Sequence, residues 1–323
     1  MIERPRVAVV VPVHNGADTI EGCLRALARQ TMPTEDYEVI VVDDDSDDDT
    51  RQRVLAVSEN VLATVKLVRQ SPNTGPAAAR NLGVAGTLAP VLAFTDADCE
   101  VADDWLERAL ERLEAEPALA GVEGRTDPSN GEVSATTHQM RNPTGGMWMT
   151  CNMIYRREAL EGAGGFDETF TMPWLEDSDM ALSVQEEGRQ IAFDERVVVN
   201  HLVLERGRRR FFREARKRFF NPYLFRKHPA LYREHISPVV PALPRLHLIY
   251  MLTVILPFIA WAVGFPGAAA LLALPWLFFL RRVAHAYKAR DPLTILMAAV
   301  HPFVQTLWTI AGAIRFRSFS WDL

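Results

Sequence analysis

Cysteine is scarce in this chain. Its 323 residues hold three, Cys23, Cys99 and Cys151, odd in number, far apart and in no CxxC pair. They read as reduced cytosolic thiols, not as a disulfide framework or a zinc site. Two phosphate-cradling loops are missing as well. No GxGxxG follows the first apolar run, where residues 11–19 contain only Gly16, and no GxxxxGK[ST] occurs anywhere. Hydride transfer on a dinucleotide and P-loop chemistry thereby lose their main support. The N-terminus enters a β-type segment without an apolar leader of signal-peptide form.

Acid is missing from one end. The net charge of −6 conceals 37 acidic and 17 basic side chains in residues 1–205, against 4 and 18 in residues 206–323. Arg206 to Arg233 carries eleven basic residues and one acid, Glu214. Nucleic acid is one partner for such a stretch, but the long apolar runs C-terminal to it argue against that partner. Leu246 to Phe265 is apolar and uncharged, about the ~20 residues a helix needs to cross a bilayer. A second run, Gly264 to Leu280, continues through the turn signal Gly264-Phe265-Pro266-Gly267 and ends at Arg281-Arg282. This is the pattern of a helical hairpin in a membrane. A third run, Leu293 to Ile314, is interrupted by His301, Pro302 and Gln305 and is expected to be interfacial or re-entrant. Between residues 209 and 220, Phe211, Phe212, Ala215, Phe219 and Phe220 share one helical face with arginines opposite. That reads as a basic amphipathic helix on an anionic membrane surface, with an ordinary amphipathic packing helix as the alternative. The expected division is a catalytic domain over 1–205, a basic surface segment over 206–238 and a membrane region of two or three helices over 239–323.

With 48% hydrophobic residues, the chain can bury a proper core. Buried-strand runs at Arg6 to Val13, Tyr37 to Asp43, Val65 to Val68 and Val91 to Thr95 alternate with helical spacing at residues 17–30, 76–87 and 103–114. The alternation predicts an α/β fold with a mostly parallel central sheet, followed by the α-helical membrane region. Ligands of such sheets sit beyond the carboxyl ends of the strands. Three of those ends are polar: Pro12-Val13-His14-Asn15-Gly16, Asp43-Asp44-Asp45-Ser46 and Asp96-Ala97-Asp98. One alone would be a turn or cap. Three place several carboxylates at one rim, where repulsion is costly unless a cation or hydrogen-bond donors compensate, and Asp96 with Asp98 suits a hard divalent ion that bridges phosphates.

In this order the motifs resemble the inverting glycosyltransferases of family 2, which have the GT-A fold, over roughly residues 6–230. Val11 to Asn15 looks like the family's opening strand end, Val42 to Ser46 like its nucleotide-contacting turn, Asn73 to Asn81 like its donor-diphosphate segment, and Asp96-Ala97-Asp98 like its DxD motif. Asn152 with Arg156-Arg157, Gly164 to Glu168, and Glu176-Asp177 follow the pattern of the acceptor half. The resemblance implies donor binding by Pro12, His14, Asn15, Asp43, Asp44, Gly75, Arg80 and Asp96, with Asp44 on the base or ribose. It implies Mn²⁺ or Mg²⁺ on Asp98 and His201, an acceptor side at Trp148, Asn152 and Glu176, and Asp177 as catalytic base. Asp45 departs from the pattern, since the family commonly has glycine there and Asp enters left-handed angles less readily.

A single base suits direct displacement, in which an acceptor hydroxyl attacks the anomeric carbon while nucleoside diphosphate leaves. Glu176-Asp177 also reads as a helix start, and the two readings are compatible. The expected function is metal-dependent transfer from a UDP-, GDP- or dTDP-sugar to a lipid-linked or glycan acceptor at the cytoplasmic face of the cell membrane. Transfer onto a polyprenyl phosphate is the narrower alternative. A non-catalytic nucleotide-sugar-binding scaffold is the other, against which the intact DxD and Glu-Asp pairs weigh.

Overall fold

The β-branched runs form the middle of an eight-stranded sheet. In this computed structural model, which describes residues 4–62, 64–129, 137–237, 245–286 and 292–318, the order begins β1 (Val7–Val13), α1 (Ile20–Leu27), β2 (Tyr37–Asp44), α2 (Thr50–Asn60), β3 (Val65–Gln70), α3 (Pro76–Ala85) and β4 (Val91–Phe94). It continues through β5 (Cys99–Val101), α4 (Trp105–Ala115), β6 (Leu119–Ser129), β7 (Thr137–His138), β8 (Met153–Arg156), α5 (Arg157–Gly162), α6 (Glu176–Glu186), β9 (Gln190–Leu202) and β10 (Leu204–Glu205). Across the sheet the order is β3-β2-β1-β4-β8-β6-β9-β5, and β7 pairs separately with β10. β3, β2, β1 and β4 run parallel, as do β6 and β9, while β8 and β5 are antiparallel to their neighbours. The first four strands therefore end on the same rim.

Period-two alternation explains the layers. Val7, Val9, Val11 and Val13 of β1 join Ile20, Leu24 and Leu27 of α1, Val54 and Val57 of α2, and Trp105, Leu106 and Leu110 of α4 in one core. Each fully buried Leu or Ile there contributes about 1.5–3 kcal/mol. On the opposite face Ile40 and Val42 of β2 meet Ala79 of α3. A Cβ on Gly83 would lie 2.4 Å from a Val10 methyl, so glycine lets α3 settle closely on β1.

The chain divides into two units, residues 1–131 with 139–203 and residues 132–138 with 204–323. The β7–β10 pairing draws residues 137–138 into the second unit. The expected boundary at 238/239 lies outside the described residues.

In the second unit α7 (Arg210–Lys217), α8 (Asn221–Lys227) and a single turn, α9 (Pro229–Leu231), precede α10 (Arg245–Ala262), α11 (Pro266–Ala286) and α12 (Pro292–Phe316). α10 and α11 form the expected hairpin, turning at Gly264 with φ 89°. One expectation changes here. Much of the apolar face of α7 and the turn after it is covered by α12, with Phe212 left exposed: Phe211 packs on Ala298 and Met297, its ring 5.8 Å from His301, and Phe219 stacks edgewise on Trp308 and Phe316. A Cβ on Gly312 would lie 2.0 Å from the Phe219 carbonyl oxygen, so a glycine permits this approach. The third apolar run is a continuous helix through Pro302, in which the Thr306 and Thr309 hydroxyls donate to the carbonyls of Pro302 and Gln305 (both 2.9 Å). At 25 residues, about 37 Å, α12 is the helix among the described residues long and apolar enough to cross a membrane. The apolar part of α11 stops at Phe278.

Candidate functional site

The loops after β1 and β2 lock each other. His14 Nδ1–H donates to the Asp44 carbonyl oxygen (2.8 Å), Asn15 N–H donates to Ser46 Oγ (2.9 Å), and Asp47 N–H donates to Asn15 Oδ1 (2.9 Å). Pro12, paired in register with Val42, is partly buried just before them. Asp45, where glycine was expected, adopts φ 62°. Asp is one of the few side chains that enter this region, so the turn survives the exchange. Asp43 is fully buried; it accepts from Ser46 N–H (3.1 Å) and faces Arg51 at 3.6 Å. It builds the turn from inside, holding the loop that carries Asp44.

Asp44 is a tether. Its carboxylate accepts from Gln70 Nε2 (2.7 Å), Thr74 N–H (3.0 Å) and Gly75 N–H (2.9 Å), fixing the entrance of α3. Gly75 has φ 98°, and a Cβ there would lie 2.7 Å from the Thr171 carbonyl oxygen. Both the angle and the approach require glycine.

One turn into α3, Arg80 bridges the rim to α6. Its Nη1 donates to Glu176 Oε1 (2.9 Å) and its Nη2 to Asp96 Oδ1 (3.0 Å), and the guanidinium lies 5.7 Å from the centre of the Phe166 ring. Burial opposes its charge, but Asp96 and Glu176 outweigh burial and hold the guanidinium above its ordinary pKa. Glu176 is 3% exposed and paired with Arg80. Burial nonetheless pushes its carboxyl upward against the pull of Arg80. Asp177, next along and partly exposed, is pushed up to about 7, first by burial and then by Glu176. Ser178 N–H donates to its Oδ1 at 2.7 Å. Leu175, just before this pair, has φ 72°. A left-handed leucine stores roughly 1–3 kcal/mol of strain, and it sets the direction in which the first turn of α6 presents its two acids.

Asp98 and His201 are brought together by the β5–β9 ladder, in which Cys99 lies opposite His201. His201 Nδ1–H donates to the Leu202 carbonyl oxygen (2.9 Å), which turns Nε2 toward Asp98 Oδ1 at 3.6 Å. A carboxylate and an imidazole nitrogen with its second nitrogen anchored fit a divalent cation that leaves positions for phosphate oxygens. Asp96 is held by Arg80, so the two aspartates of the motif have different partners. The Cys99 thiol, pushed well above its ordinary pKa by burial and then by Cys151 and the two aspartates, is neutral without a cation beside it.

In the acceptor half the structure places Asn152 and adds a residue that the sequence reading missed. Asn152 is 1% exposed; its Oδ1 accepts from Trp105 Nε1 (2.9 Å), and its Nδ2 donates to the carbonyls of Arg125 (2.9 Å) and Val197 (3.0 Å). It ties α4 to β6 and β9 and leaves no donor for an acceptor. Glu123, 2% exposed on β6, accepts from the N–H groups of Gly146 (2.6 Å), Met147 (3.0 Å) and Trp148 and from Asn142 Nδ2 (2.7 Å). It gathers the loop carrying Trp148, itself buried with φ 50°. Nearby, burial first, then Glu123 and Asp177, push the Tyr155 hydroxyl well above its ordinary pKa. A glutamate within a strand run carries no local signal of such a role. The second glycine of Gly145-Gly146 ahead of a tryptophan was the available hint of a tight loop.

Residues 8–172 match the family model for glycosyl transferase family 2. The chain belongs to this family. Over 171 residues, 50% of this chain and 56% of the relative, it is 32% identical to glycosyltransferase AglE of Haloferax volcanii. Over 103 residues, 32% of this chain and 16% of the relative, it is 34% identical to a poly(ribitol-phosphate) beta-glucosyltransferase of Bacillus spizizenii. The chain thus spans about half the length of the first relative and far less of the second. Among solved structures, mannosyltransferase PcManGT from Pyrobaculum calidifontis, in complex with GDP-Man and Mn²⁺, superposes with a TM-score of 0.60 at 26% identity, covering 99% of this chain and 88% of that one. S. aureus TarS 1–349 in complex with UDP shares the fold at a TM-score of 0.53 and 17% identity, covering 97% and 92%. The curled, mostly parallel sheet is that of the GT-A fold.

Proposed function

We propose that this chain is an inverting glycosyltransferase that moves a sugar from a nucleotide-sugar donor to a hydroxyl of a lipid-linked or glycan acceptor at the cytoplasmic face of a membrane. The observation that carries the reading is the placement of Asp177: a partly exposed carboxylate beside Glu176, which Arg80 joins to the DxD rim, with burial and then Glu176 raising it to about 7. A base with a pKa near the working pH combines the right protonation state with proton affinity. In the proposed step the acceptor O–H gives its proton to Asp177. The oxygen forms the new bond to the anomeric carbon, and the bond to the donor phosphate breaks with its electrons leaving on the nucleoside diphosphate.

Each remaining residue then has a task. Asp98 and His201 would hold Mn²⁺ or Mg²⁺, which when bound supplies positive charge against the leaving diphosphate. Arg80 keeps Asp96 and Glu176 compensated. The loops of His14, Asn15 and Gly75 shape the donor bed, and the Trp148 loop faces the acceptor. The GDP-Man and Mn²⁺ of the Pyrobaculum neighbour support starting with GDP-mannose. Membrane attachment is supported by α12 and by exposed side chains such as Phe258, Trp261 and Phe278 on the hairpin. With much of the apolar face of α7 covered, the part of the basic stretch left for lipid includes the exposed Arg206, Arg209, Phe212 and Arg213.

The test is turnover of UDP-, GDP- and dTDP-sugars by detergent-purified protein with Mn²⁺ or chelator. Metal-dependent release of nucleoside diphosphate from one donor supports the reading. Folded protein that binds none of them overturns it.

A further inference from the structure

Three ligand-type atoms converge behind the rim. A carboxylate oxygen of Asp98, the sulfur of Cys99 and a ring nitrogen of His201 all lie within 4.8 Å of one another. The strand ladder produces this arrangement, because Cys99 sits across from His201 and the Leu202 N–H donates to the Asp98 carbonyl oxygen at 2.9 Å. Cys99 and His201 are 1% and 2% exposed, whereas the Asp98 side chain is 19% exposed. The cluster is closed behind and open at the carboxylate, the form of a centre that keeps coordination positions for a substrate.

We propose that Cys99 is a third protein ligand at this centre, making an oxygen, nitrogen and sulfur set that binds a borderline cation such as Zn²⁺ or Co²⁺ in preference to Mg²⁺. The proposal rests on the metal reading of Asp98 and His201 and adds to it the thiol and the selectivity. On coordination the Cys99 S–H proton leaves to water and the sulfur binds as thiolate. Mg²⁺ demands oxygen ligands and gains little from sulfur, whereas imidazole and thiolate suit Zn²⁺. Zn²⁺ is then expected to displace a harder ion from the same site.

Full-length protein in detergent, stripped with chelator and kept reduced, is titrated with Co²⁺ alone and followed by absorbance. Bound Co²⁺ should show its visible bands together with a near-ultraviolet sulfur-to-cobalt charge-transfer band. Cys99→Ser should lose the charge-transfer band, keep the visible bands and bind Co²⁺ at least about tenfold more weakly, since even outer-shell changes reach that size. Cys151→Ser, at the neighbouring buried thiol, should keep both bands. Cys99→Ala gives the same reading should a buried hydroxyl unsettle the core. Visible bands without charge transfer in the unaltered protein, or charge transfer that persists in Cys99→Ser, overturn the thiol ligand and leave Asp98 and His201 standing. Folded protein that binds no Co²⁺ overturns both.

Discussion

The pH dependence of transfer is the sharpest test of Asp177, because its surroundings give both a position and a direction. A carboxyl raised to about 7 lies about three units above its ordinary value, some 4 kcal/mol of differential interaction at 1.36 kcal/mol per unit. Burial is the larger cause and Glu176 the next, with Arg80 and the Ser178 N–H opposing them. If Asp177 must be ionised to accept the hydroxyl proton, kcat/KM rises about tenfold per unit below pH 7 and levels off above it. Glu176→Gln removes the like charge and leaves more of the Arg80 field for Asp177. Both effects favour the carboxylate, so the inflection should fall by about one unit, with burial keeping it above the ordinary range. The assay is release of nucleoside diphosphate in excess acceptor between pH 5 and 9, for the unaltered chain, Glu176→Gln and Asp177→Asn. Asp177→Asn should lose transfer while donor affinity stays within about twofold. A flat profile, an inflection that Glu176→Gln leaves unmoved or raises, or one that survives in Asp177→Asn refutes the assignment. Stability should move in the opposite sense to activity. A carboxyl whose folded pKa is raised favours the fold below its unfolded value, and that contribution is lost as pH rises from about 4 through about 7.

Arg80→Gln leaves Glu176 and Asp96 without their shared cation; chemical denaturation should show a loss of about 3 kcal/mol, and the inflection of Asp177 should move to higher pH. Glu123→Gln turns an amide N–H₂ toward backbone donors, so hydrogen exchange at Gly146, Met147 and Trp148 should speed up by at least about tenfold for ~1.5 kcal/mol of lost bonding, while donor affinity is unchanged; unaltered protection would remove Glu123 from its role. Leu175→Gly relieves the left-handed backbone by about 1 kcal/mol but gives up a buried leucine side chain, which costs roughly 2–5 kcal/mol, so chemical denaturation should show a net loss of stability while kcat falls through a looser first turn of α6; a gain in stability would show that the angle, not the side chain, dominates there.

How far the sequence disclosed this molecule depends on the range of the interaction concerned. β1, β2 and the first turns at the rim were legible because their signals are local: β-branched runs, and Asp or Asn where chains turn. The same locality makes the Glu176-Asp177 pair visible at a helix start, but not the assignment of one acid to Arg80 and the other to solvent. That division depends on a guanidinium 96 residues away. Glu123 and Asn152 carry the argument further, since each is a polar residue inside a buried segment whose partners are mainly backbone groups from distant strands or loops. Nothing in the identity of those partners marks them in sequence, because every residue carries the same N–H and C=O. The error over α7 has the same origin. A face of phenylalanines with arginines opposite is equally complete against lipid or against a protein helix, and the choice was made about 90 residues later by the small Ala298 and Gly312 of α12. Those small side chains sat inside an apolar run that read as a membrane segment. In a chain that both folds and meets lipid, hydrophobic periodicity names the face that must be covered, and only the contact partner decides what covers it.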